Sequence, residues 1–298
     1  MMNMIYFGNG PRGVKCLQAL LDANHTIRAV IGQKAQTDVM VLAQKHGLPT
    51  FFPQKINDPA FVDQLRQMNP DLFVLSGYNQ ILHSEIIQIP RLGALNLHGG
   101  KLPDYKGTAP INWQIIRGET KGGCCVLFVD EGIDTGDIVE QAYYDIGPND
   151  TAEDLVKKQL LLFPSMLLNA ISALQKGTLK RHKQDPLAGA YFTRRYPKDS
   201  HLNWQQLTAQ EAHNLIRAMQ GAGYPPAFSF YKGEKIELYA SRIIQENIQG
   251  APGRIALKRK EGVIVIAKDR GLLLTQIVLK DGSPQNPRRL LDMGEDLI

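Results

Sequence analysis

Short β-rich runs alternate with amphipathic helical windows through the first two thirds of this chain, and that alternation leaves few folds open. Met4–Gly8, Thr26–Ile31, Thr50–Phe52, Asp71–Ser76, Ala94–Leu97, Cys125–Val129 and Ile138–Ile146 read as strands. Helical periodicity appears between them near Val14–Leu21, Val39–His46 and Ala60–Gln67. Strands separated by helices predict an α/β architecture, a mainly parallel sheet covered on both faces. Thr151 and Asp154 have the spacing of a capping box and open a longer helix running to about Lys176, which Gly177 ends. After Lys183 the texture changes. Asp185–Ala190 is loop-like, one helix follows near Ala209–Met219, and the rest is short strands divided by turns. These are Phe228–Tyr231, Ile236–Ser241, Gly253–Leu257, Gly262–Ala267 and Leu272–Ile277, the spacing of a small barrel or sandwich. The expected boundary lies near residues 185–200, giving domains 1–185 and 195–298.

Composition narrows the function classes. The chain has 298 residues, 43% of them apolar, enough to bury a substantial core. The formal charge is +5, unevenly spread. From Lys180 onward there are 19 Lys/Arg against 12 Asp/Glu, so that segment carries +7 and the first 179 residues carry −2. A basic tail on a near-neutral body attracts anions such as phosphate or nucleic acid. Three cysteines without a spacing pattern argue against a disulfide framework, and no Cys/His cluster predicts a metal. The opening residues run directly into a strand and turn, so no secretory signal is expected. The most apolar stretch, Leu160–Leu174, is too short to span a bilayer. A soluble cytoplasmic protein without membrane partners is the expectation.

Gly8-Asn9-Gly10-Pro11-Arg12-Gly13 fits G-x-G-x-x-G between a strand and a helix, the signature of a dinucleotide site. Two details oppose that use. The next strand ends Val30-Ile31-Gly32-Gln33 without a ribose-binding carboxylate, and Pro11 removes a backbone N–H that would cradle phosphate. The glycines are read instead as a tight turn beside a substrate pocket, where Asn9 and Arg12 meet an acceptor.

The stretch with most chemistry is Asn96-Leu97-His98-Gly99-Gly100-Lys101. Alternate residues of a strand share a face, so Asn96 and His98 project together. Gly99 and Gly100 let a ligand approach the backbone, at the carboxyl end of a strand where open α/β sheets bind ligands. The acidic loop Asp130-Glu131-Gly132-Ile133-Asp134-Thr135-Gly136-Asp137 lies between two strands and should reach the same edge. An amine attacking a carbonyl must lose a proton, and histidine, with an ordinary pKa of about 6.5, is the natural base. A neighbouring carboxylate would fix its tautomer and stabilise the imidazolium. The developing oxyanion needs a donor, which the Asn96 amide supplies; such a donor is worth about 3–4 kcal/mol. No serine or cysteine stands out as a covalent nucleophile, so direct transfer is expected.

The fuller stretch Asn96–Trp113 resembles the N-terminal domain of the folate-dependent formyltransferases, whose pattern is roughly N-x-H-x-S-L-L-P-x-[YW]-[RK]-G-x-A-P. The family's acidic loop, D-x-G-x-D-T-G-D-[IM], appears as Asp130–Ile138. The resemblance also covers Met4–Leu21, Asp71–Leu82, Arg194–Arg217 and Pro226–Arg242. It implies a Rossmann-like N-terminal domain with a small OB-like C-terminal domain. It implies Asn96, His98 and Asp134 as the catalytic trio and 10-formyltetrahydrofolate as donor, with no metal. The pterin would lie against Tyr78, Asn79, Gln80, Ile81 and Leu82 and the loop containing Asp130 and Ile133. Asn9, Arg12, Gly99, Gly100, Lys101, Tyr105 and Lys106 are the expected acceptor-side residues. There are departures. The usual Ser and Leu after the His are Gly100 and Lys101, and G-V-T before the second motif is Gly123-Cys124-Cys125. Lys101 adds a cation near the expected acceptor amine.

The acceptor is read from a difference within that family. Methionyl-tRNA formyltransferases resemble the chain in both domains but carry a long basic loop after the second strand, which grips tRNA. Here Val30–Asp38 passes straight into a helix. Pro110–Trp113, Arg194–Asp199 and Pro226–Ser229 resemble amino-sugar-nucleotide formyltransferases, notably the formyltransferase domain acting on UDP-linked aminoarabinose. A nucleotide-linked amino sugar is therefore the expected acceptor, with initiator tRNA as the alternative. A formyltetrahydrofolate hydrolase and a nucleotide-binding oxidoreductase are the readings from other classes. Assembly is left open, with a homodimer through the C-terminal domain as one option.

Overall fold

The computed structural model describes residues 2–221, 223–279 and 282–298. Packing divides the chain into two units. The first comprises residues up to Gly107 with Gly123–Tyr144 and Lys157–Tyr191. The second comprises Thr108–Gly122, Asp145–Val156 and Phe192–Ile298. In chain order the elements are β1 (Asn3–Gly8), α1 (Gly10–Asp22), β2 (Thr26–Ile31), α2 (Asp38–Lys45), β3 (Thr50–Phe51), α3 (Pro59–Gln67), β4 (Leu72–Ser76) and α4 (Ser84–Ile87). Then come β5 (Ala94–His98), β6 (Lys106–Gly107), α5 (Pro110–Ile116), β7 (Lys121–Phe128), β8 (Ile138–Asp145) and α6 (Ala152–Gln175). The remainder is β9 (Tyr191–Phe192), α7 (Ala209–Ala218), β10 (Ala227–Tyr231), β11 (Glu234–Ile243), β12 (Ile255–Lys258), β13 (Val263–Ile266), β14 (Gly271–Val278) and β15 (Pro284–Gln285).

Seven strands of the first unit form one sheet in the order β3-β2-β1-β4-β5-β7-β8. The pairs β2–β3, β1–β2, β1–β4 and β4–β5 are parallel, while β5–β7 is antiparallel. Both faces are covered, and β1 shows why its sequence is a continuous apolar run. Met4 and Tyr6 pack into one layer with Leu17, Leu20, Met40 and Phe163. Ile5 and Phe7 pack into the other with Val62, Leu65 and Phe73. A strand buried on both sides has no polar face to alternate. Each fully buried side chain of this kind contributes about 1.5–3 kcal/mol. Order reverses at β1, because β2 and β4 flank it. Both neighbouring connections therefore open at its carboxyl end, as in doubly wound sheets.

The capping box at the start of α6 is present: Thr151 N–H and hydroxyl donate to Asp154 Oδ2 at 3.0 and 2.7 Å, and Asp154 N–H donates back to Thr151 Oγ1. The strand expected at Cys125–Val129 starts four residues earlier, at Lys121. Lys121-Gly122-Gly123 lacks the β-branched signal, and pairing with neighbours supplies what propensity does not. The short helix α5 had no sequence signal beyond Pro110 at its first turn.

The second unit is built on an antiparallel sheet in the order β10-β11-β14-β13-β12, with β15 added to β14. Leu202, Trp204, Ile216, Leu238, Ile255, Val265 and Leu274 form its core, and α7 supplies one wall. Among the described residues, no helix is long and apolar enough to cross a membrane. No group of three or more His, Cys, Asp or Glu among them could hold a metal ion.

Candidate active site

β5 lies between β4 and β7, which set its last residues at a defined height. Asn96 pairs with Leu75 and Leu127, and His98 with Cys125. The two side chains share a face, as alternation requires, and meet the loop between β7 and β8. That loop is shaped by its own residues. Asp130 Oδ1 accepts from Gly132 N–H at 3.1 Å and from the Thr135 hydroxyl at 2.7 Å, closing a tight turn. At Gly136 a Cβ would sit 2.0 Å from the Phe128 carbonyl oxygen, so only glycine fits. Asp134 adopts the left-handed region at φ 56°, tolerable for Asp where surrounding contacts hold it.

The Asp134 carboxylate is the meeting point. Its Oδ2 accepts from Gly107 N–H at 2.9 Å and lies 3.4 Å from His98 Nδ1. Its Oδ1 lies 3.4 Å from the Asn96 amide nitrogen, which donates to it. Asp130 is spent on the turn just described, and Asp137 offers its carbonyl to Phe128 N–H. Of the three acidic positions, geometry brings only Asp134 to Asn96 and His98.

His98 is buried, and its Nε2 is 2.6 Å from the Tyr105 carbonyl oxygen. Both ring nitrogens face acceptors, but the carbonyl is at hydrogen-bonding distance while the Asp134 carboxylate is 3.4 Å from Nδ1, so Nε2 carries the proton and the neutral ring presents a lone pair at Nδ1. The expectation that the carboxylate fixes the tautomer is therefore corrected: the Tyr105 carbonyl does so. Asp134 instead faces the nitrogen that gains a proton. Burial pushes the His98 pKa down; the Asp134 charge and the Tyr105 carbonyl pull it up, and Arg12 pushes it down again. The outcome is an imidazole kept neutral beside a carboxylate ready to stabilise its protonated form.

The other expected residues fall in three groups. Arg12 lies against the site: its guanidinium is 5.1 Å from the Phe163 ring, and its Nη1 is 3.4 Å from where a Gly99 Cβ would stand. Arg12 Nε is buried without a hydrogen-bond partner among the described residues. Lys101 lies 3.8 Å from Asp104 and 5.8 Å from the Tyr105 ring centroid. Gly99 and Gly100 are engaged through their carbonyls, which accept from Gln159 Nε2 at 2.9 Å and Cys125 Sγ at 3.4 Å. Lys106 is buried and its ammonium donates to the Ala188 carbonyl at 2.9 Å; Tyr105 is also buried. On the donor side, Leu82 is buried while Ile81 and Ile133 are exposed. The Tyr78 ring meets Phe7 edge-on at 5.5 Å, and its hydroxyl is buried without a partner among the described residues. Gln80 Oε1 accepts from Ile56 N–H at 2.9 Å. Asn9 and Asn79 both donate to Gln33 Oε1, at 3.4 and 3.5 Å.

Three glutamines in this region were given no role by the sequence reading: Gln33, Gln159 and Gln184. None lies in a motif, and a single Gln carries no periodic signal. Each is recognised only by what it touches.

The sequence profile described as "Formyl transferase" matches residues 2–171, more than half of the chain. The chain belongs to the formyltransferase family. A second profile, "Formyl transferase, C-terminal domain", matches residues 195–293 of this formyltransferase. It is 33% identical over 289 residues to a methionyl-tRNA formyltransferase of Geobacter metallireducens, covering 94% of this chain and 91% of that protein. It is 30% identical to the Clostridium botulinum enzyme of the same name, over 95% and 94% of the two chains. Among solved structures it resembles an N-formyltransferase from Helicobacter canadensis, in complex with folinic acid and dTDP-3-aminofucose. That likeness has a TM-score of 0.73 at 21% identity, over 93% of this chain and 100% of the other. WlaRD, a sugar 3N-formyltransferase determined with dTDP and 5-N-formyl-THF, matches with a TM-score of 0.71 at 23% identity, over 94% and 99%. This formyltransferase is thus similar in sequence to enzymes named for tRNA and similar in fold to enzymes named for sugars.

Proposed function

We propose that this formyltransferase moves the formyl group of 10-formyltetrahydrofolate onto the primary amine of a nucleotide-linked amino sugar, with Asn96, His98 and Asp134 as its catalytic residues. In this reading residues 1–185 carry the chemistry and 195–298 form the appended OB-like domain. The carrying observation is the convergence on the Asp134 carboxylate of His98 Nδ1 and the Asn96 amide nitrogen, each 3.4 Å from one of its oxygens.

The residues flanking the trio suit a reduced folate. The Tyr78 hydroxyl, without a partner among the described residues, and the exposed Ile81 and Ile133 offer a polar contact and apolar surface to a flat ring system. When bound, the folate supplies an activated formyl carbonyl. His98 Nδ1 takes the proton the amine loses as it attacks, and that proton would pass to the folate nitrogen as its bond to the formyl carbon breaks, leaving the amide product and tetrahydrofolate. Asp134 Oδ2, on the same nitrogen, stabilises the imidazolium. Asn96 turns an amide proton toward the carbonyl oxygen as negative charge develops there. Tyr105 keeps Nε2 protonated, so His98 cannot drift to the tautomer that would offer no base at Nδ1.

The acceptor reading rests on the β2–α2 connection. Ile31 and Asp38 bound six residues, Gly32 to Thr37, with no room for the basic loop by which the tRNA enzymes hold their substrate. Likeness in fold to sugar enzymes crystallised with dTDP compounds supports the same choice. Initiator tRNA is the second reading, favoured by relatives at 30–34% identity over 94–99% of the chain. Incubating purified protein with 10-formyltetrahydrofolate and either dTDP- and UDP-amino sugars or charged initiator tRNA separates them. Formylated sugar nucleotide by mass spectrometry is expected. Turnover of the tRNA with none of the sugars would overturn this acceptor and leave the chemistry standing.

A further inference from the structure

Gln184 lies between the two matched profiles, which end at residue 171 and begin at residue 195. Beyond α6 the chain returns to β8 through a two-bond bridge. Ile138 N–H donates to the His182 carbonyl at 2.9 Å, and His182 N–H donates to the Ile138 carbonyl at 2.8 Å. Two residues later, Gln184 stands beside the β7–β8 loop. Its Nε2 donates to the Asp134 carbonyl at 2.9 Å and to the Gly136 carbonyl at 2.8 Å. Two acceptors can be faced only by the NH2 end of the amide, so its orientation is chemically determined and both its protons are used. The cost falls on the other end: Gln184 Oε1 is buried without a partner among the described residues. A bare buried oxygen persists where the opposite end makes contacts the fold depends on.

We propose that Gln184 is a positioning residue for formyl transfer, clamping the carbonyls on either side of Thr135 so that the Asp134 carboxylate stays against Asn96 and His98. The loop needs such a tie. Asp134 occupies φ 56°, a conformation disfavoured for a residue with a Cβ. The side-chain contacts that hold it include two of 3.4 Å, both long for hydrogen bonds. Fixing the carbonyls of residues 134 and 136 fixes the peptide planes on both sides of the turn, and with them the direction of the carboxylate. The inference rests on the assignment of Asp134 to the chemistry, and its test keeps the two apart.

Gln184→Met keeps the length of the side chain and removes both donors; Gln184→Glu keeps its shape and sets oxygen against oxygen. Each is made alone and with Asp134→Asn, and assayed with whichever acceptor turns over in the experiment above. Either Gln184 variant should lower kcat about tenfold, since displacement of a reacting group by an ångström is sufficient for such losses. The KM for the acceptor should stay within about twofold. The acid limb of the pH profile should move to lower pH, the direction given by Asp134→Asn. In the Asp134→Asn background a Gln184 substitution should cost nothing more. A wild-type kcat in both Gln184 variants, with Asp134→Asn impaired, overturns the clamp and leaves the trio intact. Equal losses in both backgrounds overturn it too, because Gln184 would then act elsewhere. Full activity in Asp134→Asn removes the assignment on which it rests. Should Gln184→Met lose its melting transition, Gln184→Glu decides.

Discussion

His98 in the first unit and His213 in the second are matched in nearly everything a sequence or a burial profile records. Both lie on regular elements, β5 and α7, and both are buried. Each sets Nε2 against a backbone carbonyl, Tyr105 at 2.6 Å and Pro148 at 2.9 Å, so each holds the same tautomer. Burial lowers the pKa of both. They part at Nδ1. In His213 it accepts from the Ser241 hydroxyl at 2.8 Å, a neutral partner that completes a closed network. In His98 it faces the Asp134 carboxylate from 3.4 Å. A histidine kept neutral by burial is common structural material. It becomes a base when the nitrogen with the lone pair faces a charge that gains from its protonation.

The most severe way to break this comparison is to remove both rings. His98→Gln should lower kcat/KM by about 10³–10⁴-fold, the upper range for loss of a positioned general base. His213→Gln should leave kcat/KM within about threefold while lowering Tm, because it opens a buried hydrogen-bond pair. Equal kinetic losses would mean that the Nδ1 partner is not what distinguishes them. Asn96→Ala should cost about 10²–10³-fold in kcat, the range measured for loss of one oxyanion donor. A loss confined to KM would move Asn96 from the developing charge to simple binding.

Asp134→Asn sharpens the comparison further, since it makes the His98 Nδ1 partner neutral like that of His213. Where a carboxylate alone sets a catalytic histidine's tautomer, its amide variant costs about 10⁴-fold. Here the Tyr105 carbonyl does that work, so the expected loss is smaller, about 10²-fold in kcat. The sign of the pH effect follows from the charges. Asp134 raises the His98 pKa, so its neutralisation lowers that pKa and moves the acid limb of kcat/KM to lower pH. Movement in the opposite direction would contradict the arrangement.

The strands of the first unit and the faces of Asn96 and His98 were legible because both rest on local periodicity. β2 was expected and found at Thr26–Ile31, and Asn96 and His98 both reach the Asp134 carboxylate from the shared face that strand alternation gives them. What escaped were contacts without local signal. Residue Asp134 could not be chosen over Asp130 or Asp137 by chemistry, since all three are acidic residues in one loop; the left-handed turn and the Gly107 N–H decide between them. The tautomer depends on a carbonyl seven residues away, and a carbonyl has no side-chain identity to read. Lys106, expected at the acceptor, is drawn to the Ala188 carbonyl, 82 residues on in the chain. Gln184 reaches Asp134 across 50 residues and only because a two-bond bridge returns the chain there. The arrangement of this site is set largely by backbone acceptors, the part of a protein that its sequence does not spell.

The smallest effect compares the same two histidines through stability. Both have folded-state pKa values below their unfolded value of about 6.5, as does the half-buried His25. Between the two values the unfolded chain binds a proton that the folded one refuses, so stability rises with pH across that interval. The contribution is complete above about pH 6.5 and is lost as pH falls below it. Asp71, Glu211 and Asp292 have depressed pKa values of their own, and their contribution is lost only below about pH 4. In the interval from about pH 6.5 to 5 the histidines therefore act apart from those three carboxylates, opposed by Glu140, whose burial raises its pKa and makes its contribution to stability fall as pH rises. Melting temperature should be level from about pH 8 to 7 and decline through that interval, with each kcal/mol worth about 2–4 °C in a chain of this size. His213→Gln should flatten part of the decline. If the slope in the variant matches that of the wild type, His213 is not titrating with folding, and its likeness to His98 ends at geometry.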